Sequence, residues 1–159
     1  MVSGLSGQRI YIEDIYPAVD SGRFPVKRVA GEPVDVWVDI FRDGHAVLAA
    51  ELLWRAEDAQ KWSRNPLKFY QNDRWGGSFT PDKPGRYRYA IEAWTDAFGS
   101  WRRDFLTKRG AGQDVTLEAL EGRQILAGLK PRTKADAFII SEVCRECDAS
   151  SSSERIGAR

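Results

Sequence analysis

The stretch Val34–Phe41 reads VDVWVDIF. Val34, Val36, Val38 and Ile40 fall on one face of an extended chain, and Asp35, Trp37, Asp39 and Phe41 on the other. Strict alternation with β-branched residues on one side is the signature of a half-buried strand. Val36, Val38 and Ile40 are therefore expected to face a core. Asp43-Gly44 follows, a turn signal because glycine accepts positive φ, and Val47–Arg55 reads as the return strand of a hairpin.

Working outward from this strand, Arg9–Glu13 (RIYIE) alternates and is strand-like. Tyr16–Arg23 holds Pro17, Asp20 and Gly22 and reads as a loop. Phe24–Ala30 (FPVKRVA) reads as a short strand closed by Gly31-Glu32-Pro33. Ala56–Arg74 is irregular, and Asn65-Pro66 rules out a long helix there because a residue before proline leaves the α region. Trp75–Thr80 reads as a short strand and Pro81–Gly85 as a turn. Arg86–Asp96 (RYRYAIEAWTD) alternates again, with Tyr87, Tyr89, Ile91 and Ala93 on one face. Ala97–Ser100 reads as a tight connection, Trp101–Lys108 as a returning strand and Asp114–Leu117 as a last one. Seven or eight short strands with frequent turns predict an antiparallel β-sandwich.

After the breaker Gly110–Gly112 the period changes. Glu118–Leu129 has a helical pattern, and Pro131 suits the first turn of another helix. Ala135, Phe138, Ile139, Val143 and Cys147 form one apolar stripe at helical spacing. The expected organisation is a β-sandwich over residues 1–117, the start of a helical segment over 118–148, and a disordered, serine-rich tail over 149–159.

The chain has 159 residues, enough for one domain and too few for a (β/α)₈ barrel, which needs about 200 or more. Lys and Arg number 24 and Asp and Glu 23, a formal charge of +1. That balance gives no electrostatic footprint for nucleic acid. No apolar run approaches the ~20 residues of a membrane span; the longest, Ala46–Leu53, is broken by Glu51. Met1–Ile10 lacks the apolar region of a secretory signal. With two cysteines and no disulfide framework, the expected setting is the cytoplasm, with reduced thiols.

Catalytic and metal motifs do not assemble. His45, the single histidine, sits at a turn with no partner signalled for a base. Cys144-Arg-Glu-Cys147 is one C-x-x-C where structural zinc takes four ligands, and both cysteines fit an apolar helix stripe. The glycines make no phosphate loop. No carboxylate spacing selects a pair of the kind a retaining glycosidase holds about 5–5.5 Å apart. No catalytic, cofactor-binding or metal-binding residue is expected, and no cofactor.

The aromatic content is the unusual feature: six Trp, five Tyr and seven Phe. Trp62, Tyr70 and Trp75 fall in and beside the irregular stretch, where binding loops lie. They read either as carbohydrate contacts, since flat aromatic faces suit sugar rings, or as residues buried against a neighbouring domain. Trp37 or Trp94, with several Tyr, reads as core filling.

Gly22–Val29 (GRFPVKRV), Asp39–His45 (DIFRDGH), Asn72–Trp75 (NDRW), Gly85–Asp96, Trp101–Asp104 (WRRD) and Ala111–Val115 (AGQDV) carry a resemblance. Over about residues 8–120, in order, the chain resembles the N-terminal domain of the alpha-1,4-glucan:maltose-1-phosphate maltosyltransferase family, within the alpha-amylase superfamily. The resemblance implies an immunoglobulin-like β-sandwich interrupted by a helical insertion. It implies a place beside the catalytic barrel of a parent enzyme and a part in dimerisation. The stripe Ala135, Phe138, Ile139 and Val143 is then expected to dock on a second copy of the chain, as dimer contacts, or back on the sandwich, with the second copy favoured. Such a parent enzyme moves maltosyl units from maltose 1-phosphate to α-1,4-glucans with retention, using barrel carboxylates to which no position here corresponds. It also implies that residue 159 falls inside the helical insertion, before a returning strand. Non-catalytic packing and dimerisation is the leading expectation, and an independent α-glucan-binding module the alternative.

Overall fold

A computed structural model describes residues 10–129, 138 and 140–145. Its described residues divide into two compact units, with the break between Thr95 and Asp96.

The first unit is β. Strands β1 (Ile10–Tyr16), β2 (Val34–Arg42), β3 (Leu48–Ala56), β4 (Ser63–Pro66), β5 (Lys68–Phe69), β6 (Arg74–Phe79) and β7 (Tyr87–Thr95) form two antiparallel sheets. One has the order β1-β2-β6-β5 and the other β4-β3-β7. The predicted core face of β2 is the observed one. Val36 and Val38 are fully buried, Ile40 and Val34 nearly so. They share one core with Ala50 and Leu52 of β3 and with Trp75 and Phe79 of β6. Tyr87, Tyr89, Ile91 and Ala93 of β7 close over that core from the opposite sheet. Trp54 stacks on Phe79 across it at 5.1 Å. The chain is mainly β, with two sheets facing one another, consistent with a β-sandwich. Burying each such aliphatic side chain contributes about 1.5–3 kcal/mol.

Several local expectations are corrected. β2 and β3 are not a hairpin. β2 has β1 on one side and β6 on the other, so both its edges are used. The turn at Asp43-Gly44, with Gly44 at φ +89°, therefore carries the chain into the other sheet, where β3 pairs with β4 and β7. Phe24–Ala30 is not a strand: it contributes one isolated bridge, Val19 to Phe24. Pro25 removes a ladder donor, and most of the segment is exposed. The stretch that reads as irregular contains the short strands β4 and β5.

The second unit is helical where a strand was expected. Trp101–Lys108 lies inside α1 (Ala97–Gly110), followed by α2 (Thr116–Ala127). Asp96 caps α1, its carboxylate accepting the Gly99 N–H at 2.8 Å, an N-cap role that aspartate fills well. Trp101 and Phe105, four residues apart, stack on the same helix face at 5.4 Å and are buried with Val115 and Ala119. Asp114 accepts the Thr116 N–H at 2.8 Å, which opens a helix rather than a strand. The helix expected over Glu118–Leu129 is present as α2. Gly112, at φ +68°, lets the chain turn between the two helices. The 149–159 tail lies outside the described residues.

The Trp101 indole lies directly on the backbone of α2. Its Nε1–H donates to the Glu118 carbonyl at 2.5 Å, and the Glu118 side chain, largely buried, pairs with Lys108 of α1. That hydrogen-bonded partner holds the Glu118 carboxyl below its usual range and raises the Lys108 ammonium above its own. A depressed carboxylate pKa contributes stability above the unfolded value of 4.5, lost as the pH falls below it. A raised ammonium pKa contributes stability below 10.5, lost as the pH rises through the folded value. The helical unit is thus expected to be most stable between these limits. Helical circular dichroism followed during thermal unfolding at stepped pH checks this. Glu118→Gln should flatten the acid limb; an unchanged acid limb would show that the pair contributes nothing.

Candidate functional site

The three singled-out aromatics do not form one surface. Trp75 is 8% exposed, in β6 opposite Val38. Its Nε1–H donates to the Ile40 carbonyl at 3.2 Å and its ring meets Phe69 edge-on at 5.5 Å. Both its apolar body and its polar atom are satisfied inside the fold, leaving no face for a ligand. Trp62, just before β4, is partly exposed, with the Arg55 guanidinium over its ring at 4.7 Å. Arg55 in turn donates to the Ala59 carbonyl at 2.8 Å, fixing the cation in place. Tyr70 is 58% exposed and meets Trp37, one of the two tryptophans (with Trp94) that could fill the core: its ring is tilted against the indole, centroids 4.9 Å apart.

Trp37 lies on the outward face of β2, and the reason is legible in the strand. Odd-numbered residues point away from the core, so Trp37, Asp39 and Phe41 share that face. The register puts Gly76 of β6 beside Trp37, and a Cβ there would lie 2.7 Å from the indole Cζ3. Glycine thus lets the indole lie flat on the sheet. Tyr70 is brought over the same spot by the tight β5–β6 turn. In that turn Asn72 and Asp73 take left-handed φ of 48° and 61°, which Asn and Asp tolerate better than most residues. The Tyr70 N–H donates to the Arg74 carbonyl at 2.8 Å across it.

Farther along the same face, Tyr11 of β1 stacks on Phe41 at 5.2 Å, their planes 14° apart. Between the two aromatic pairs, Arg74 forms an ion pair with Asp39: Nη2 donates to Oδ2 at 3.0 Å, and Nε lies 2.5 Å from Oδ1. Tyr11, Phe41, Trp37, Asp39 and Arg74 were not proposed from the sequence as a site. The signal was the non-core half of VDVWVDIF, and the strand neighbours give it meaning.

Elsewhere, polar groups are used in ordinary structural ways. Arg64 bridges Glu51 and Glu92, each at 2.7 Å, across the β4-β3-β7 sheet. The Tyr87 hydroxyl donates to Asp82 at 2.5 Å, which lowers the Asp82 carboxyl and raises the Tyr87 phenol. Burial raises the Tyr89 phenol, whose hydroxyl donates to the Pro17 carbonyl at 2.6 Å. His45 is an exposed turn residue. Among the described residues no group of three His, Cys, Asp or Glu is placed to hold a metal. Among them, too, no helix is long and apolar enough to cross a membrane. Of the helical stripe, Val143 packs against the Trp101–Phe105 cluster and Phe138 is 65% exposed; Ala135 and Ile139 lie outside the described residues.

Against known families, residues 8–158 match the model described as alpha-1,4-glucan:maltose-1-phosphate maltosyltransferase, domain N/S. The chain belongs to this family. A maltosyltransferase of that name from Myxococcus xanthus is 42% identical over 142 residues, 84% of this chain and 21% of the relative. One from Rhodospirillum rubrum is 46% identical over 127 residues, 74% of this chain and 18% of the relative. One from Burkholderia pseudomallei is 36% identical over 160 residues, 98% of this chain and 14% of the relative. The chain thus spans about a fifth or less of the length of these three maltosyltransferases and corresponds to the family's N-terminal part.

Proposed function

We propose that the chain is the non-catalytic N-terminal module of a cytoplasmic maltosyltransferase of α-glucan (glycogen) metabolism, acting through domain packing and dimerisation. The observation that carries this reading is the match of residues 8–158 to domain N/S combined with coverage of only 14–26% of the relatives. In this reading the two sheets, which run from Ile10 to Thr95, form an immunoglobulin-like sandwich, and the helical insertion begins with α1 at Ala97 rather than at residue 118. The partners are the parent enzyme's catalytic barrel and a second copy of the chain. The reading is supported by apolar side chains left open on the helical unit: Leu117, Leu120 and Phe138 are each about half exposed or more. A row of this kind is stabilised by covering it. A biological contact would bury on the order of 1,000 Å² or more in total.

Maltose 1-phosphate and glycogen incubated with the chain are expected to remain unchanged. Light-scattering mass should fall from dimer to monomer when the chain is ended at Leu129, which removes Phe138 and Val143 with the rest of the stripe. Turnover abolished by replacing one particular carboxylate would refute the non-catalytic role. Equal monomer masses for both forms at high concentration would refute dimerisation through the helical end.

A further inference from the structure

We infer that the segment from Tyr16 to Ala30, between the end of β1 and the start of β2, is a preformed docking loop that seats on a carboxylate-rimmed apolar surface of the rest of its own polypeptide. The location stands on the chain's own residues. The occupant rests on the reading of the chain as the N-terminal part of a longer enzyme.

Four large apolar or aromatic side chains of this short segment stand about half out of water: Tyr16, Val19, Phe24 and Val29. Apolar surface gathered in this way is stabilised by a partner that covers it. The loop is held open rather than free to collapse on itself. At one end the Pro17 carbonyl accepts the Tyr89 hydroxyl of β7 at 2.6 Å. At the other the Gly31 N–H donates to the Pro81 carbonyl at 2.8 Å. Between these anchors Val19 and Phe24 form an antiparallel bridge, and the N–H groups of Gly22 and Phe24 both donate to the Val19 carbonyl, at 3.1 and 3.3 Å. Asp20, Ser21 and Gly22 turn the tip with left-handed φ of 50°, 53° and 84°. For serine that region is sparsely populated, and such a conformation persists only where its surroundings over-determine it. A loop fixed beforehand loses little conformational freedom on docking.

The charges say what kind of surface fits. Residues 16–30 hold three cations, Arg23, Lys27 and Arg28, against one carboxylate, Asp20. The Arg28 guanidinium lies 6.0 Å from the centre of the Tyr16 ring and that of Arg23 5.6 Å from the Phe24 ring. Arg23 reaches Asp20 only at 3.7 Å, and among the described residues no carboxylate pairs with Arg28. Arginine set against an aromatic ring is a recurrent anchor of protein interfaces, and its planar fork receives a carboxylate through two parallel hydrogen bonds. A lipid surface fits less well, because the tip of the loop is Asp20-Ser21-Gly22-Arg23, polar and bearing the one carboxylate. Chain length points to the occupant. About three-quarters or more of the maltosyltransferases from Burkholderia pseudomallei and Cereibacter sphaeroides lies outside the part that this chain matches. A surface joined to the loop by the chain itself is present at an effective concentration of about millimolar, ahead of any free partner.

The test is lysine acetylation, read by peptide mass, of the chain alone and of the full maltosyltransferase that carries it. Lys27 is exposed in the loop and is expected to react about tenfold or more slowly in the enzyme. Arg28→Glu should restore its reactivity there, whereas Arg28→Lys should keep most of the protection. Phe24→Ser, a neutral change at an exposed position, should restore it as well. Each variant should leave the urea midpoint of the chain alone unmoved. Lys27 reacting equally fast in the chain and in an enzyme that turns over maltose 1-phosphate would overturn the docking loop alone. A polypeptide that carries the chain and lacks that turnover would overturn the enzyme reading and the loop's occupant together. Protection of Lys27 in the chain alone, on adding vesicles of phosphatidylcholine and phosphatidylserine or on raising the chain's own concentration, would make the loop a lipid contact or a contact between copies and overturn the assignment.

Discussion

Val38→Asp is expected to cost about 3 kcal/mol or more, enough to unfold a domain of ordinary stability at modest denaturant. Val38 is fully buried at the middle of β2, between β1 and β6, and faces Ala50 and Leu52 of the other sheet within one core. A carboxylate there would meet aliphatic and aromatic carbon on every side, with no cation in that cluster to pair with. The control is one residue away. Asp39 points outward and pairs with Arg74 in a partly exposed ion pair, with one hydrogen bond from Nη2 to Oδ2. Asp39→Ala should therefore cost no more than about 1 kcal/mol, the upper range for an exposed pair. Urea unfolding of both variants gives the two values on one scale. Equal costs would mean that the register of β2 is inverted and that Trp37 and Phe41 form the core.

That pair of residues also shows how far the sequence could be read. Period-2 alternation identifies the buried face of β2 and of β7 because the strand geometry itself imposes the period. It identifies neither the neighbours of β2 nor the sheet entered by β3. Asp43-Gly44 signals a turn through the conformational freedom of glycine, and a turn within a sheet and a turn between sheets use the same signal. Pairing is decided by which edges remain open after β1 and β6 have docked, a tertiary matter. Trp75 illustrates the same limit at the candidate site. Its place beside an irregular stretch is compatible with a carbohydrate contact or with burial against a neighbouring domain, whereas its register opposite Val38 puts it in the core of this unit. Trp37, one of two tryptophans (with Trp94) that could fill the core, sits on the outer face with Tyr70. In both cases the deciding fact is which strand lies alongside.

Trp101–Lys108 was misread for a different reason. Its eight residues hold too few apolar positions for either period to stand out. The helix is recognisable from the Asp96 cap ahead of it, the Trp101–Phe105 spacing of four within it, and basic Lys108 and Arg109 in its last turn, favourable to the helix dipole. The helical pattern after Glu118 was legible, since its apolar positions recur over three turns.

Gly122→Ala is expected to separate α1 from α2, although alanine is the better helix former by about 1 kcal/mol. A Cβ at Gly122 would stand 2.0 Å from Trp101 Cζ2 and 2.3 Å from Cε2, closer than any carbon contact survives. Trp101 cannot simply swing aside. Its Nε1–H is committed to the Glu118 carbonyl one turn earlier on the same helix, and its other face is stacked with Phe105. Moving the indole would therefore lose the hydrogen bond and the stack together. Overpacking of this kind costs about 1–3 kcal/mol, and an orphaned buried N–H adds about 1–3 more. The net loss, after the helix-propensity gain, is about 1–5 kcal/mol. Trp101→Ala should be destabilising alone, through the lost indole. In the Trp101→Ala background, Gly122→Ala should become neutral or stabilising, because the atoms it collides with are gone. Helical circular dichroism with denaturant, applied to both single variants and the double, measures that coupling. Additive losses would show that the indole does not rest on Gly122 and that the other contacts of this cluster, with the Lys108–Glu118 pair, hold the two helices together.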